Sequence, residues 1–167
     1  MTATRYYLPE FDHEMSVTRR VLERVPIDKH GWKPHAKSMS LGQLASHLAQ
    51  LPDWMSYILT ADHFDFRPPN APAYAPADCK TSQELLDLFD RSVASSRKAI
   101  SQAQEDSLDT PWTLKAGDHT IFTSPRWSVY RGFGMNHIVH HRAQLAVYLR
   151  LLDVPVPSIY GPTADER

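Results

Sequence analysis

A chain of 167 residues is long enough to bury one sizeable core and short for two. Its 18 Lys and Arg against 19 Asp and Glu leave a net charge of −1, which gives nucleic acid or an anionic membrane nothing to hold. A single cysteine, Cys79, excludes an intramolecular disulfide, and the chain shows neither an apolar leader nor an apolar run of membrane-spanning length, so it is expected to be a cytoplasmic, single-domain protein over 1–167.

Leu8, Phe11, Met15, Thr18, Leu22 and Val25 recur at alternating spacings of three and four, which predicts a first helix near 5–25 that Pro26 ends. Glu14, Arg19, Arg20, Glu23 and Arg24 fall on its other face and read as solvated surface. After a polar connection punctuated by Gly31 and Pro34, Ser40 and Gln43 form a capping box that opens a second helix near 40–59. Leu41, Leu44, Leu48, Leu51, Met55 and Ile58 mark its buried stripe, and His47 projects at the edge of that stripe between Leu44 and Leu51. Pro52 cannot donate to the carbonyl of Leu48, so a kink is expected one turn past His47.

From Ala61 to Lys80 the chain is rich in Pro and Ala and reads as a long structureless connection, with Cys79 an inert thiol inside it. Thr81 and Glu84 make a second capping box, and Leu85, Leu86, Phe89, Val93 and Ile100 stripe a third helix near 81–104. The period then shortens. Trp112–Leu114 and His119–Phe122 flank a turn containing Gly117, which predicts a small hairpin at 112–122 with His119 exposed on it. Ser124 as N-cap and Pro125 in the first turn open a fourth helix near 126–152.

That last helix carries the chemistry. His137 and His141 stand four residues apart, so their imidazoles stack one turn above the other on one face. At about 100° per residue, and with His137 at zero, the apolar residues Trp127, Tyr130, Ile138, Leu145, Tyr148 and Leu149 centre near roughly 70°. His141 falls at about 40° and His140 at roughly 300°, so His137 and His141 form the inward pair and His140 stands outside. The pair alone leaves two readings: core histidines each hydrogen-bonded to a neighbour, or ligands of one metal ion that satisfies both.

The histidine on helix two, the H-x-x-x-H on helix four and the preceding hairpin occur together with the string His140-His141-Arg142-Ala143-Gln144-Leu145. Val154-Pro-Val-Pro157 and Tyr160-Gly-Pro162 complete the pattern. In these features nearly the whole chain resembles the DinB family. The resemblance implies an all-α fold, an up-down-down-up four-helix bundle with a small β-hairpin before its last helix. It further implies one divalent metal ion held by His47, His137 and His141, with zinc or nickel first and iron next, and a homodimer. Family members include metal-dependent transferases that use low-molecular-weight thiols, so a thiol S-transferase acting on a small electrophile is the leading expectation. The alternatives are a non-catalytic, stress-linked metal- or ligand-binding protein and a metal-dependent hydrolase.

Overall fold

The computed structural model describes residues 4–166. Four helical stretches dominate: α1 (Thr4–Leu22), α2 (Leu41–Thr60), α3 (Ser82–Gln102), and a last stretch made of α4 (Arg126–Val129), a π-helical turn (Tyr130–Met135) and α5 (Asn136–Leu151). α1 and α2 each pack against both α3 and α5, which leaves α1 and α2 diagonally opposed. Phe11, Leu22, Leu41, Leu48, Met55, Leu85, Ile100, Ile138 and Leu145 fill the space between them.

Both capping boxes form, Ser40 with Gln43 and Thr81 with Glu84, so two of the helix starts are set by local chemistry. α1 stops at Leu22, short of the expected Val25. Its chain tightens into i→i−3 bonds, Arg24 N to Val21 O and Val25 N to Leu22 O, both 3.2 Å, because a residue before proline is pushed out of the helical region. Pro52 lies inside an unbroken α2, and a neighbouring side chain repairs the ladder beside it. The Ser96 hydroxyl donates to the Pro52 carbonyl and accepts from the Ser56 amide at 3.0 Å, bridging a bond that α2 would otherwise make within itself.

Three expectations need correction. Residues 61–80 are not structureless throughout, because β1 (His63–Asp65) pairs in parallel with β2 (Pro111–Ala116). β2 in turn pairs antiparallel with β3 (His119–Pro125), around Gly117 at φ +61°. A three-residue strand has no period to read; it forms by borrowing a free sheet edge, and Asp65 secures it by accepting from Gly117 N at 2.9 Å and Arg67 N at 2.8 Å. Second, Ser124 belongs to β3 and Pro125 occupies the cap position, so the helix begins at Arg126.

The third correction concerns Trp127, which is 46% exposed rather than part of the buried stripe. A π turn takes in one residue more than an α turn. Residues before Tyr130–Met135 are therefore rotated by about 100° relative to a uniform helix. That rotation turns Trp127 outward and brings Arg126 and Val129 in, at 4% and 3% exposure.

Two arginines are buried where polar groups need them. Arg126 reaches the carbonyls of Ile58 and Ala61 at the C-terminal end of α2, together with Asp62 Oδ1 at 2.9 Å, and so meets acceptors that the helix leaves open. Arg142 lies against α1: it donates to Glu14 O and Thr18 Oγ1, both at 3.1 Å, and its Nη2 stands 2.6 Å from Glu14 Oε2. Glu14 is thus buried, not on the solvated face where its charge alone would put it. The Tyr160 hydroxyl joins the pair, Asp165 accepts from Val156 N at 2.8 Å, and Glu166 meets Arg24 at 3.1 Å, so the tail is tied across α1 and α5.

Candidate metal centre

His47 comes from the middle of α2, and His137 and His141 come from successive turns of α5. Packing of α2 on α5 brings them together: the ring centroids are 5.3 Å apart for His47–His137 and 4.7 Å for both other pairs. One ligand nitrogen from each ring lies within 4.8 Å of the other two, and among the described residues no other cluster of three His, Cys, Asp or Glu side chains is so arranged. These three can hold a metal ion. His140 is exposed beside His141, outside the cluster, and His119 is exposed on β3. Cys79 is buried, with its backbone amide donating to Ser46 Oγ at 2.9 Å, and burial raises its thiol above the usual range, which disfavours the reactive thiolate.

The protonation states suit ligation. Burial, followed by the proximity of His141 and His137, lowers the His47 pKa from 6.5 to about 4. Burial and His141 do the same to His137, to about 4, against an opposing pull from the Phe133 backbone beside it. His141 is also lowered by burial. All three rings are therefore neutral near pH 7, as an imidazole ligand must be.

Two further details fit a metal. His141 Nδ1 lies 2.8 Å from Gln144 Oε1, which can only accept, so the ring proton sits on Nδ1 and the Nε2 lone pair is free. His137 Nδ1 is buried with no hydrogen-bond partner, an uncommon state for a polar atom that nothing else satisfies. Three imidazoles and no thiolate suit zinc, nickel, copper or iron.

Beside His47 and His137 opens a cavity of about 360 Å³. Trp54 of α2, Phe133 of the π turn, and Phe66 and Tyr74 of the 61–80 segment form its walls. Gln50 holds that segment in place: its Oε1 accepts from the Tyr74 hydroxyl at 2.7 Å and from Ala77 N at 3.1 Å. Periodicity assigned no role to these rings. The available signal was Phe64, Phe66 and Tyr74 recurring in a stretch otherwise built of Pro, Ala and polar residues.

The sequence matches the DinB family along its full length, residues 1–167. The chain belongs to the DinB family. The Bacillus subtilis protein YrdA is 25% identical to it over 169 residues, covering 96% of this chain and 90% of YrdA. A DinB-like protein of Bacillus subtilis, YjoA, superposes with a TM-score of 0.65 at 18% identity, covering 96% of this chain and 97% of YjoA. A DinB-like protein of Bacillus cereus ATCC 10987 gives 0.66 at 19%, covering 92% of this chain and 95% of the other. At these identities the structural likeness is one of fold: a mostly helical DinB-like body with a small three-stranded sheet. Among the described residues no helix is long and apolar enough to cross a membrane.

Proposed function

We propose that this DinB-family chain is a metal-dependent enzyme in which His47, His137 and His141 hold one divalent ion, zinc or nickel before iron. The observation that carries this reading is the convergence of three neutral imidazoles from two helices, two of them, His47 and His137, in the wall of an apolar cavity. An ion held by three protein ligands keeps open positions and, when bound, favours the deprotonated form of a thiol or water beside it. The chain's own part is orientation and an apolar surround. Gln144 holds the proton on His141 Nδ1, and Trp54, Phe66, Tyr74 and Phe133 give the cavity apolar walls. Transfer of a low-molecular-weight thiol to a small electrophile is the reaction class that the family resemblance favours.

Hydrolysis would use the same ion, with water in place of the thiol. A non-catalytic metal- or ligand-binding role is favoured by a different observation: no carboxylate is among the described residues lining the cavity, so none is placed there as a general base. The resemblance also supports an up-down-down-up order of the helices and a homodimer, and the chain length and single cysteine support a single domain over 1–167 and a cytoplasmic location.

The test is metal stoichiometry on protein purified without a nickel column, for wild type, His47→Ala, His141→Ala and His140→Ala. Wild type and His140→Ala should bind one equivalent of zinc or nickel, and the other two should lose it. A wild type that takes up no metal, or a His140→Ala that alone loses it, overturns the site. A screen of small thiols against electrophiles, wild type beside His141→Ala, then separates enzyme from binding protein.

A further inference from the structure

The cavity beside His47 and His137 is ringed around one residue. Trp54 lies 5.3 Å from Phe66, 5.5 Å from Tyr74 and 5.4 Å from Phe133, centroid to centroid, with Phe64 behind it at 4.7 Å. The Tyr74 hydroxyl is engaged by Gln50, so Tyr74 offers the cavity its ring. Phe133 continues the wall to the histidines, 5.4 Å from the His137 ring. None of the described residues lining the cavity is Asp, Glu, Lys or Arg, and Met39 and Gln43 add no charge.

We infer that this cavity selects a neutral molecule bearing an aromatic ring, seated among Trp54, Phe66, Tyr74 and Phe133 with its single donor group toward the three histidines. The inference rests on the metal reading above for what the donor group meets, but on the walls alone for the choice of ring and charge. A volume of about 360 Å³ is at the small end for ligand pockets and suits one ring with short substituents. Aromatic walls reward a ring through edge and offset stacking beyond area burial. A carboxylate or ammonium on that ring would be taken out of water with no countercharge on the lining. Under the transferase reading, a thiol that carries carboxylates is therefore disfavoured in this cavity.

Calorimetric titration tests this on the full-length protein, first zinc-loaded and then zinc-free. The probes are benzyl mercaptan, 4-(mercaptomethyl)benzoate, which differs by one carboxylate, and 2-mercaptoethanol, which has no ring. Zinc-loaded protein should bind benzyl mercaptan about tenfold or more tighter than either other probe. Phe66→Leu and Phe133→Leu should each weaken benzyl mercaptan about three- to tenfold and leave 2-mercaptoethanol unchanged. Phe66 is only half-buried, so its variant keeps the test open if Phe133→Leu fails to fold. Met39→Lys, at a partly exposed lining position, should improve the carboxylated probe. Zinc-free protein should still bind benzyl alcohol, with the same loss in Phe66→Leu. Equal affinity for the neutral and carboxylated probes, or for benzyl mercaptan and 2-mercaptoethanol, overturns the inference, as does indifference to both Phe variants. If zinc is not taken up while benzyl alcohol binds and responds to Phe66→Leu, the metal reading falls and the cavity inference stands. Stoichiometric zinc without aromatic preference overturns the cavity inference and leaves the metal reading in place.

Discussion

Glu14 and Arg142 form a buried ion pair between α1 and α5, with Oε2 and Nη2 2.6 Å apart and side-chain exposures of 11% and 1%. The pair lies one residue from His141, on the side of α5 that faces α1, so it fixes how the ligand-bearing helix sits in the bundle. Arg142→Ala would leave a buried carboxylate with only the Tyr160 hydroxyl donating to it, and would remove the donation to Thr18 Oγ1 and to the Glu14 carbonyl, which keeps its bond from the Thr18 hydroxyl. We expect a loss of about 3–5 kcal/mol in urea unfolding. Arg150→Ala, which removes the exposed pair with Asp165, should do much less. Equal effects of the two would show that the buried pair does not anchor α5.

Gln144 acts on the metal through His141 alone. Gln144→Leu keeps its size and loses the acceptor for Nδ1–H, so the ring is free to turn and to change tautomer. Zinc affinity should fall about 10–100-fold by competition with a chromophoric chelator. Because Gln144 is exposed, the melting temperature of the metal-free protein should scarcely change.

The pH response has a defined sign. His47 and His137 take up protons at about 4 in the folded chain against 6.5 for the unperturbed group. Between those values the unfolded state binds more protons, so stability rises with pH there. Metal-free protein should be at full stability from these groups above pH 6.5, and lose it progressively as pH falls toward 4. The same shift delays proton competition for the metal. Zinc should be retained below the pH at which free imidazole protonates and released nearer 4 than 6.5. Chemical denaturation and zinc content, each followed from pH 8 to 4, check both; a midpoint of zinc release at or above 6.5 contradicts the burial effect.

Gly134 lets the π turn pack against α2. A Cβ there would meet Met55 Cγ at 2.8 Å, closer than side chains tolerate. Gly134→Ala should destabilise by roughly 1–3 kcal/mol through overpacking and, by pushing the turn that carries Phe133 and precedes His137, lower zinc affinity as well. Gly132→Ala is the control, since its Cβ would meet nothing within 4 Å.

Local chemistry was enough for much of this protein. Ser40 with Gln43 and Thr81 with Glu84 close their capping boxes within four residues, so those helix starts needed no tertiary information. The four-residue spacing of His137 and His141 set them on one face, because helix geometry alone dictates it. The motif strings carried the family, and the family pointed to His47, which no local pattern could pair with residues about ninety positions away. What tertiary structure decided was everything that depends on a partner distant in sequence. Glu14 looked solvated until α5 supplied Arg142. His63–Asp65 became a strand only because β2 offered an edge. Trp127 left the buried stripe because a π turn, held against Met55, broke the uniform phase on which the wheel depends. Phe66 and Tyr74 became the wall of a cavity because Gln50 pinned their segment over α2. Periodicity reports what a chain does with its near neighbours; burial of charge, edge pairing and cavity walls are settled between elements, where packing and desolvation outweigh local preference.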